Sequence, residues 1–313
     1  MKITFPTNFE KKHLLLLVKK QNYILFLGMK FAFIHPKIHE IFSQIYFEIR
    51  RLNLFKLNLF KNTSPKIPHF MIIGFPKAGT TSLHDYLSQH PKIFSSWIKE
   101  THFFSYGYEK GINFYFKFFN FNKKHDSVYF ESSPEYIFYF ESMKRIKRFN
   151  PNIKLIICLR NPIDLAYSSY NEMKNMGLET ESFENVLLKE NYKMELHKKR
   201  MENKIYTLFK RPIYLPYLYI GEYVTYIKNV LEIFDIKNLI FVDAKDLKNY
   251  TQETVNEIFQ FLDLDNHKIK IELKNTNEYT EKISIDTRKK LLNYFEPYNV
   301  ELEQLLNKKF NWD

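Results

Sequence analysis

Short apolar runs and helically spaced apolar stripes alternate along most of the chain. Residues 70–73, 128–130, 153–159 and 239–242 are runs of large apolar side chains, broken only by Lys154. Runs of that length and composition predict strands buried on both faces of a parallel sheet. Between and after them, apolar residues recur at helical spacing: Leu83, Tyr86 and Leu87, then Tyr223, Tyr226, Ile227, Val230, Leu231 and Phe234, then Val255, Ile258, Phe259 and Leu262. Such alternation predicts an α/β fold, with a central parallel sheet, helices on both faces and the ligand site at the carboxyl ends of the strands.

The amino-terminal stretch has a different pattern. Its longest apolar segment, 23–34, is 12 residues and contains Lys30, and Lys19 and Lys20 block its extension. A spanning helix needs about 17–25 mainly apolar residues, and no small-residue cleavage site follows Ile34, so neither a membrane span nor a secretory leader is expected. Ile38, Ile41, Phe42, Ile45, Ile49 and Leu52 form one helical face with a basic end. Two surroundings suit that face, the main domain or an anionic membrane surface. Asn62, Ser64, Pro65 and Pro68 mark a linker, which divides the chain into a basic amphipathic extension, 1–64, and a main domain, 65–313.

Charge sharpens this division. Residues 1–64 carry 11 Lys and Arg against 3 Asp and Glu, so +8 of the formal +12 lies in the extension. The main domain is only mildly basic, which argues against a nucleic-acid partner. A 45% hydrophobic composition supports a sizeable core and excludes wholesale disorder. The lone Cys158 excludes an intramolecular disulfide and a cysteine metal cluster, and fits a cytoplasmic location. His84, His90, His125, His197 and His267 show no metal-ligand spacing and read as solvated or structural, so no metal is expected.

Gly74-Phe75-Pro76-Lys77-Ala78-Gly79-Thr80-Thr81 follows the first predicted strand and enters a helix at Ser82. Strand, glycine loop and helix N-terminus make an anion cradle of backbone N–H groups. Lys77 adds a point charge, and Thr80, Thr81 and Ser82 add hydroxyl donors. The glycine spacing is that of a Walker A loop, but Thr80 stands where the lysine belongs and Lys77 precedes Gly79. The strand 153–159 ends in Arg160, whose planar fork suits a phosphate dianion. Asn161 and Pro162 then suit the N-cap and first position of a helix. The strand 239–242 ends in Asp243, where a nucleoside triphosphatase would keep a magnesium ligand.

From about residue 68 onward these features resemble the sulfotransferases that use 3′-phosphoadenosine-5′-phosphosulfate (PAPS), in particular the glycan branch with its heparan-sulfate and bacterial polysaccharide enzymes. Their fold is P-loop-like. Residues 76–81 are similar to the family's P-K-x-G-T-[ST] loop. The resemblance implies that Pro76, Lys77, Ala78, Gly79, Thr80, Thr81 and Ser82 bind the co-substrate, with Lys77 stabilising the bridging oxygen as sulfate departs. Arg160 and Ser168 have the spacing of the family's 3′-phosphate site. Lys99-Glu100-Thr101-His102-Phe103-Phe104 resembles K-E-x-H-F-F, which implies Glu100 as general base, His102 beside it and Lys99 at the acceptor. A sugar hydroxyl needs such a base. Glu100 and His102 lie on one side if the segment is extended, and Phe103 and Phe104 would raise the carboxylate's basicity by desolvation. Glu131-Ser132-Ser133-Pro134-Glu135-Tyr136 resembles the cleft-lining E-[KS]-[ST]-P-x-Y, which implies Ser133 and Tyr136 as substrate contacts. Ser132 stands where heparan-type enzymes tend to have lysine. Lys274, Asn275 and Thr276 fall near the family's last cofactor loop.

The resemblance implies metal-free sulfuryl transfer from PAPS to a hydroxyl, less readily an amine, of a carbohydrate or glycolipid acceptor. Two other classes stand beside it. A P-loop nucleotide kinase would explain the glycine spacing and Asp243 but not Arg160 with Ser168. A non-catalytic, membrane-associated glycan-binding protein would explain the basic extension but not Lys77 with Glu100. The extension generates its own test. Each basic residue close to an anionic bilayer contributes about 1 kcal/mol, and salt screens that attraction. The chain is expected to sediment with anionic vesicles, less so as salt rises. Equal sedimentation with neutral vesicles would leave the packed-helix reading.

Overall fold

The computed structural model describes residues 67–121, 126–192, 194–195, 216–272 and 282–312. The readings placed on 1–64, His125, His197, Lys274, Asn275 and Thr276 lie outside the described residues. The described residues within 61–171 and 181–313 form one compact unit. Its strands are β1 (Phe70–Gly74), β2 (Ile93–Ser95), β3 (Val128–Ser132), β4 (Lys154–Leu159) and β5 (Leu239–Asp243). The helices are α1 (Thr80–Leu87), α2 (Ile112–Phe116), α3 (Phe140–Phe149), α4 (Pro162–Asn175), α5 (Phe183–Leu188), α6 (Tyr223–Leu231), α7 (Ala244–Asn249), α8 (Thr251–Phe261) and α9 (Ile285–Leu306). Among the described residues, no helix is long and apolar enough to cross a membrane.

The five strands are parallel, in the order β2-β3-β1-β4-β5, and helices flank the sheet. Every residue of β1 is buried, as its uninterrupted apolar run requires. From β1 the chain runs out to the edge at β2, returns through β3, then crosses to β4 and β5. Its direction of travel therefore reverses between β1 and β4, and the carboxyl ends of those two strands are where such a sheet places a ligand crevice. Asn161 caps α4 as its sequence predicts: its side-chain oxygen accepts from the N–H groups of Ile163 (2.9 Å) and Asp164 (3.4 Å). The stripe on α6 is core, with Tyr223, Val224, Tyr226, Ile227 and Val230 all buried.

Beside β3 lies an aromatic layer. Phe103 stacks on Tyr115 at 4.7 Å between ring centroids, and Phe104 packs against Tyr115 at 5.1 Å and Phe149 at 5.3 Å. Glu131, on β3, is fully buried within reach of this layer. Its carboxylate accepts hydrogen bonds from the hydroxyls of Tyr115, Ser133 and Tyr136, each at 3.1 Å, and from Thr101. Four donors saturate two oxygens that burial would otherwise strand. Tyr136 in turn accepts from the Phe104 N–H at 3.2 Å, and Thr101 from the Phe103 N–H at 3.3 Å. The ring of hydroxyls thus joins 101–104, α2 and the turn after β3 into one body.

Burial pushes the Glu131 carboxyl up to about 7 from an ordinary 4.5, with the four hydroxyl donors pulling the other way. Its contribution to stability is full below about 4.5 and is lost as pH rises through about 7. His84, on α1, has the opposite sign. It packs against Phe130 at 4.9 Å, and burial lowers it to about 4 from 6.5, so its contribution is present above 6.5 and lost as pH falls toward 4. The two slopes oppose each other between these limits. Glu131→Gln removes one of them. Stability of the variant should rise with pH from 4.5 to 6.5 more steeply than that of the wild type, by about 1.4 kcal/mol per pH unit. Urea titrations across that range measure it, and equal slopes would contradict the assignment.

Candidate active site

The loop after β1 is anchored at its first residue. Phe75 is fully buried, packs against Tyr223 at 4.5 Å and Phe138 at 5.6 Å, and donates its N–H to the Cys158 carbonyl on β4 at 2.8 Å. Gly74 is needed for a close approach, since a Cβ there would lie 2.9 Å from Ile137 Cδ1. Lys77 (φ 65) and Gly79 (φ 84) are both left-handed, which curls the backbone around its own N–H groups. For lysine that conformation costs about 1–2 kcal/mol. Gly79 serves as the N-cap of α1 without a side-chain cap, and the first turn carries no acidic residue. The N–H groups of Thr80, Thr81 and Ser82 begin a helix whose dipole favours an anion. Ala78 and Thr80 are buried, while Pro76, Lys77, Thr81 and Ser82 are partly exposed.

Arg160 closes the crevice from β4. Its guanidinium donates to the Lys77 carbonyl at 3.1 Å, and its own carbonyl accepts from the Tyr223 hydroxyl at 2.7 Å. The two basic residues read from separate motifs are therefore joined through backbone and side chain. Ser168 is buried on α4, the helix that Asn161 starts. Asp243 ends the edge strand β5, with β4 between it and β1. Its carboxylate accepts from the Lys245 N–H at 2.8 Å and Trp312 Nε1 at 2.9 Å. That engagement caps α7 and removes the main support for a kinase-like magnesium ligand.

The segment after β2 is not extended. Glu100 (φ 65) and His102 (φ 52) are left-handed, and a π-helical turn follows at Phe103–Gly107. The Glu100 N–H donates to the Ser132 carbonyl at 2.8 Å, while the Ser133 N–H donates to the Ile72 carbonyl at 3.0 Å. Glu100 is thereby set at the carboxyl end of β3, one strand from the loop that leaves β1. Its carboxylate pairs with Lys99 Nζ at 2.8 Å and lies 3.8 Å from His102 Nε2. Burial pushes the Cys158 thiol up to about 12, and the Lys99 charge opposes that rise. Among the described residues, five other than glycine have positive φ, and three of them are Lys77, Glu100 and His102. Strain of this kind collects at functional sites.

Other sequence readings land differently. Phe103 and Phe104 are core and serve the aromatic layer, and a carboxylate that burial raises beside that layer is Glu131. Ser133 and Tyr136, read as substrate contacts, are fully buried with their hydroxyls on Glu131. They hold the segment that carries Glu100. Sequence reasoning missed Glu135, which abuts His102 Nδ1; it occupies the unspecified place of its motif.

Residues 67–299 match the family model of the sulfotransferase domain. The chain is 26% identical over 279 residues to the bifunctional heparan sulfate N-deacetylase/N-sulfotransferase 1 of Mus musculus, covering 79% of this chain and 30% of that protein. It is 23% identical over 315 residues to carbohydrate sulfotransferase 15 of Homo sapiens, covering 79% and 54%. The chain thus spans from under a third to about half the length of these curated relatives. A crystal structure of a sulfotransferase from Alicyclobacillus acidocaldarius shares the fold with a TM-score of 0.60 and 26% identity, over 78% of this chain and 97% of that one. The matched residues include the loop, the Glu100 segment and Arg160, and the chain belongs to the sulfotransferase domain family.

Proposed function

We propose that the chain transfers a sulfuryl group from PAPS to a hydroxyl, less readily an amine, of a carbohydrate or glycolipid acceptor. The observation that carries this reading is the union of the left-handed Lys77 loop with Arg160 across the β1–β4 crevice. The residues present fit such a nucleotide. Uncapped helix N–H groups and a curled loop suit the 5′-phosphosulfate end, and a guanidinium beside them suits a 3′-phosphate. Residues 76–82 would hold the first, Arg160 and Ser168 the second. Bound there, PAPS supplies the activated sulfuryl group. Lys77 offsets charge on the leaving phosphate oxygen, and Glu100, partly exposed, removes the hydroxyl proton. A carbohydrate acceptor is supported by relatives named for heparan sulfate and carbohydrate.

Two substitutions test this. Charge-assisted hydrogen bonds contribute about 1.5–3 kcal/mol. Arg160→Ala should therefore weaken adenosine 3′,5′-bisphosphate by about 10–150-fold. It should leave adenosine 5′-phosphosulfate, which lacks the 3′-phosphate, nearly unaffected. Equal weakening of both, measured by calorimetry, would remove the site assignment. Glu100→Gln should cut turnover by about 10²–10⁴ with nucleotide affinity unchanged. A fully active variant would move the base elsewhere.

A further inference from the structure

His102 lies between two carboxylates. Glu135 Oε1 abuts its Nδ1, and Glu100 Oε2 lies 3.8 Å from its Nε2. The His102 and Glu135 side chains are each 8% exposed, against 36% for Glu100. Glu135 comes from the 3-10 turn Pro134–Phe138, outside the segment that carries the other two. Its carboxylate is fixed by the turn that directly follows His102. Ser105, in the π-helical turn, donates through its hydroxyl to Glu135 Oε1 at 2.9 Å and to the His102 carbonyl at 3.2 Å. A buried carboxylate beside a buried imidazole is costly to keep unless each satisfies the other. The anchoring of this turn is carried by its neighbours Tyr136 and Ile137, both fully packed. The left-handed backbone at Glu100 and His102 turns the outer edge of the imidazole toward Glu100.

We propose that Glu135 is a positioning residue for His102: it orients the imidazole and holds the proton on Nδ1, so that Nε2 faces Glu100 as an acceptor. A neutral imidazole keeps its proton on the nitrogen that has the better hydrogen-bond acceptor, and an ionised carboxylate is the better of the two surroundings when it is the closer. The inference rests on the proposed sulfuryl transfer. As the acceptor oxygen bonds to sulfur, its O–H proton goes to Glu100. The S–O bond to the nucleotide phosphate breaks, and that electron pair leaves with adenosine 3′,5′-bisphosphate. The proton then passes from Glu100 to His102 Nε2. Glu135 stabilises the resulting imidazolium until the proton reaches solvent, and Glu100 is ready for another turnover.

The test uses the full chain labelled with ¹⁵N, with the His102 ring signals identified by comparison with His102→Gln. Two-bond proton–nitrogen correlation reads which ring nitrogen carries the proton, without any turnover. In the wild type it should be Nδ1. Glu135→Met keeps the side-chain length and removes the acceptor. It should lose the Nδ1–H form and lower kcat by about 10–100-fold, with acceptor KM, nucleotide affinity and melting temperature unchanged. Glu135→Gln retains an acceptor oxygen without charge. It should keep the Nδ1–H form and recover part of the lost turnover. An Nδ1–H form that persists in Glu135→Met would overturn the proposal, as would undiminished kcat. So would a loss of kcat that only tracks lost melting temperature and nucleotide affinity. A wild-type chain that transfers no sulfate would sink the proposed function instead. The tautomer comparison would still decide whether Glu135 sets His102.

Discussion

Removing a carboxylate from water costs several kcal/mol unless donors replace the lost hydration. Around Glu131 the four replacements come from separate stretches of chain: Thr101, Tyr115 on α2, and Ser133 with Tyr136 beyond β3. All must converge on the same two oxygens, so the ring fixes where 101–104 can lie relative to the sheet. Thr101 turns inward to reach it and is fully buried. Glu100, next to it, is left on the open side, paired with Lys99. The acceptor half of the site thus inherits its placement from a group that itself stays in the core.

The other half is set by topology and backbone. β1 and β4 are neighbours whose connections leave in opposite directions, so their loops meet. Phe75 anchors one loop in the aromatic core against α6, and Asn161 starts α4 from the other. Between them the Arg160–Lys77 contact closes a small basic crevice. Left-handed φ at Lys77, Glu100 and His102 shows that the surrounding packing over-determines these backbones. Preorganisation of this kind spares reorganisation during reaction.

Much of this was legible in the sequence, where the signal was local. An apolar run, a glycine loop and a helical stripe in succession predict β1, the cradle and α1, and Asn161-Pro162 predicts the start of α4. β2 was not legible, because three residues, Ile93–Ser95, carry no periodicity. The backbone of the Glu100 segment was not legible, because nothing in its composition signals a left-handed glutamate or histidine. That Ser133 and Tyr136 turn their hydroxyls to Glu131 was not legible either, because hydroxyls near a cleft motif do not reveal which way they point. Their partner Glu131 completes a ring whose other donors, Tyr115 and Thr101, are 16 and 30 residues away in sequence. Such pairings belong to tertiary structure. The same holds for Asp243, whose cap and Trp312 contact are visible only once the C-terminal residues are placed.

The central claim is that the β1–β4 crevice and the Glu100 side of the cleft act on one donor and one acceptor. A single-turnover experiment addresses it most directly: enzyme in excess over PAPS, quenched with and without the carbohydrate acceptor, with sulfated sugar and adenosine 3′,5′-bisphosphate counted together. The account predicts that the two products appear in equal amounts and at one rate, and that little bisphosphate forms without the sugar. Bisphosphate forming equally fast without acceptor, or sugar gaining phosphate from ATP instead, would contradict it.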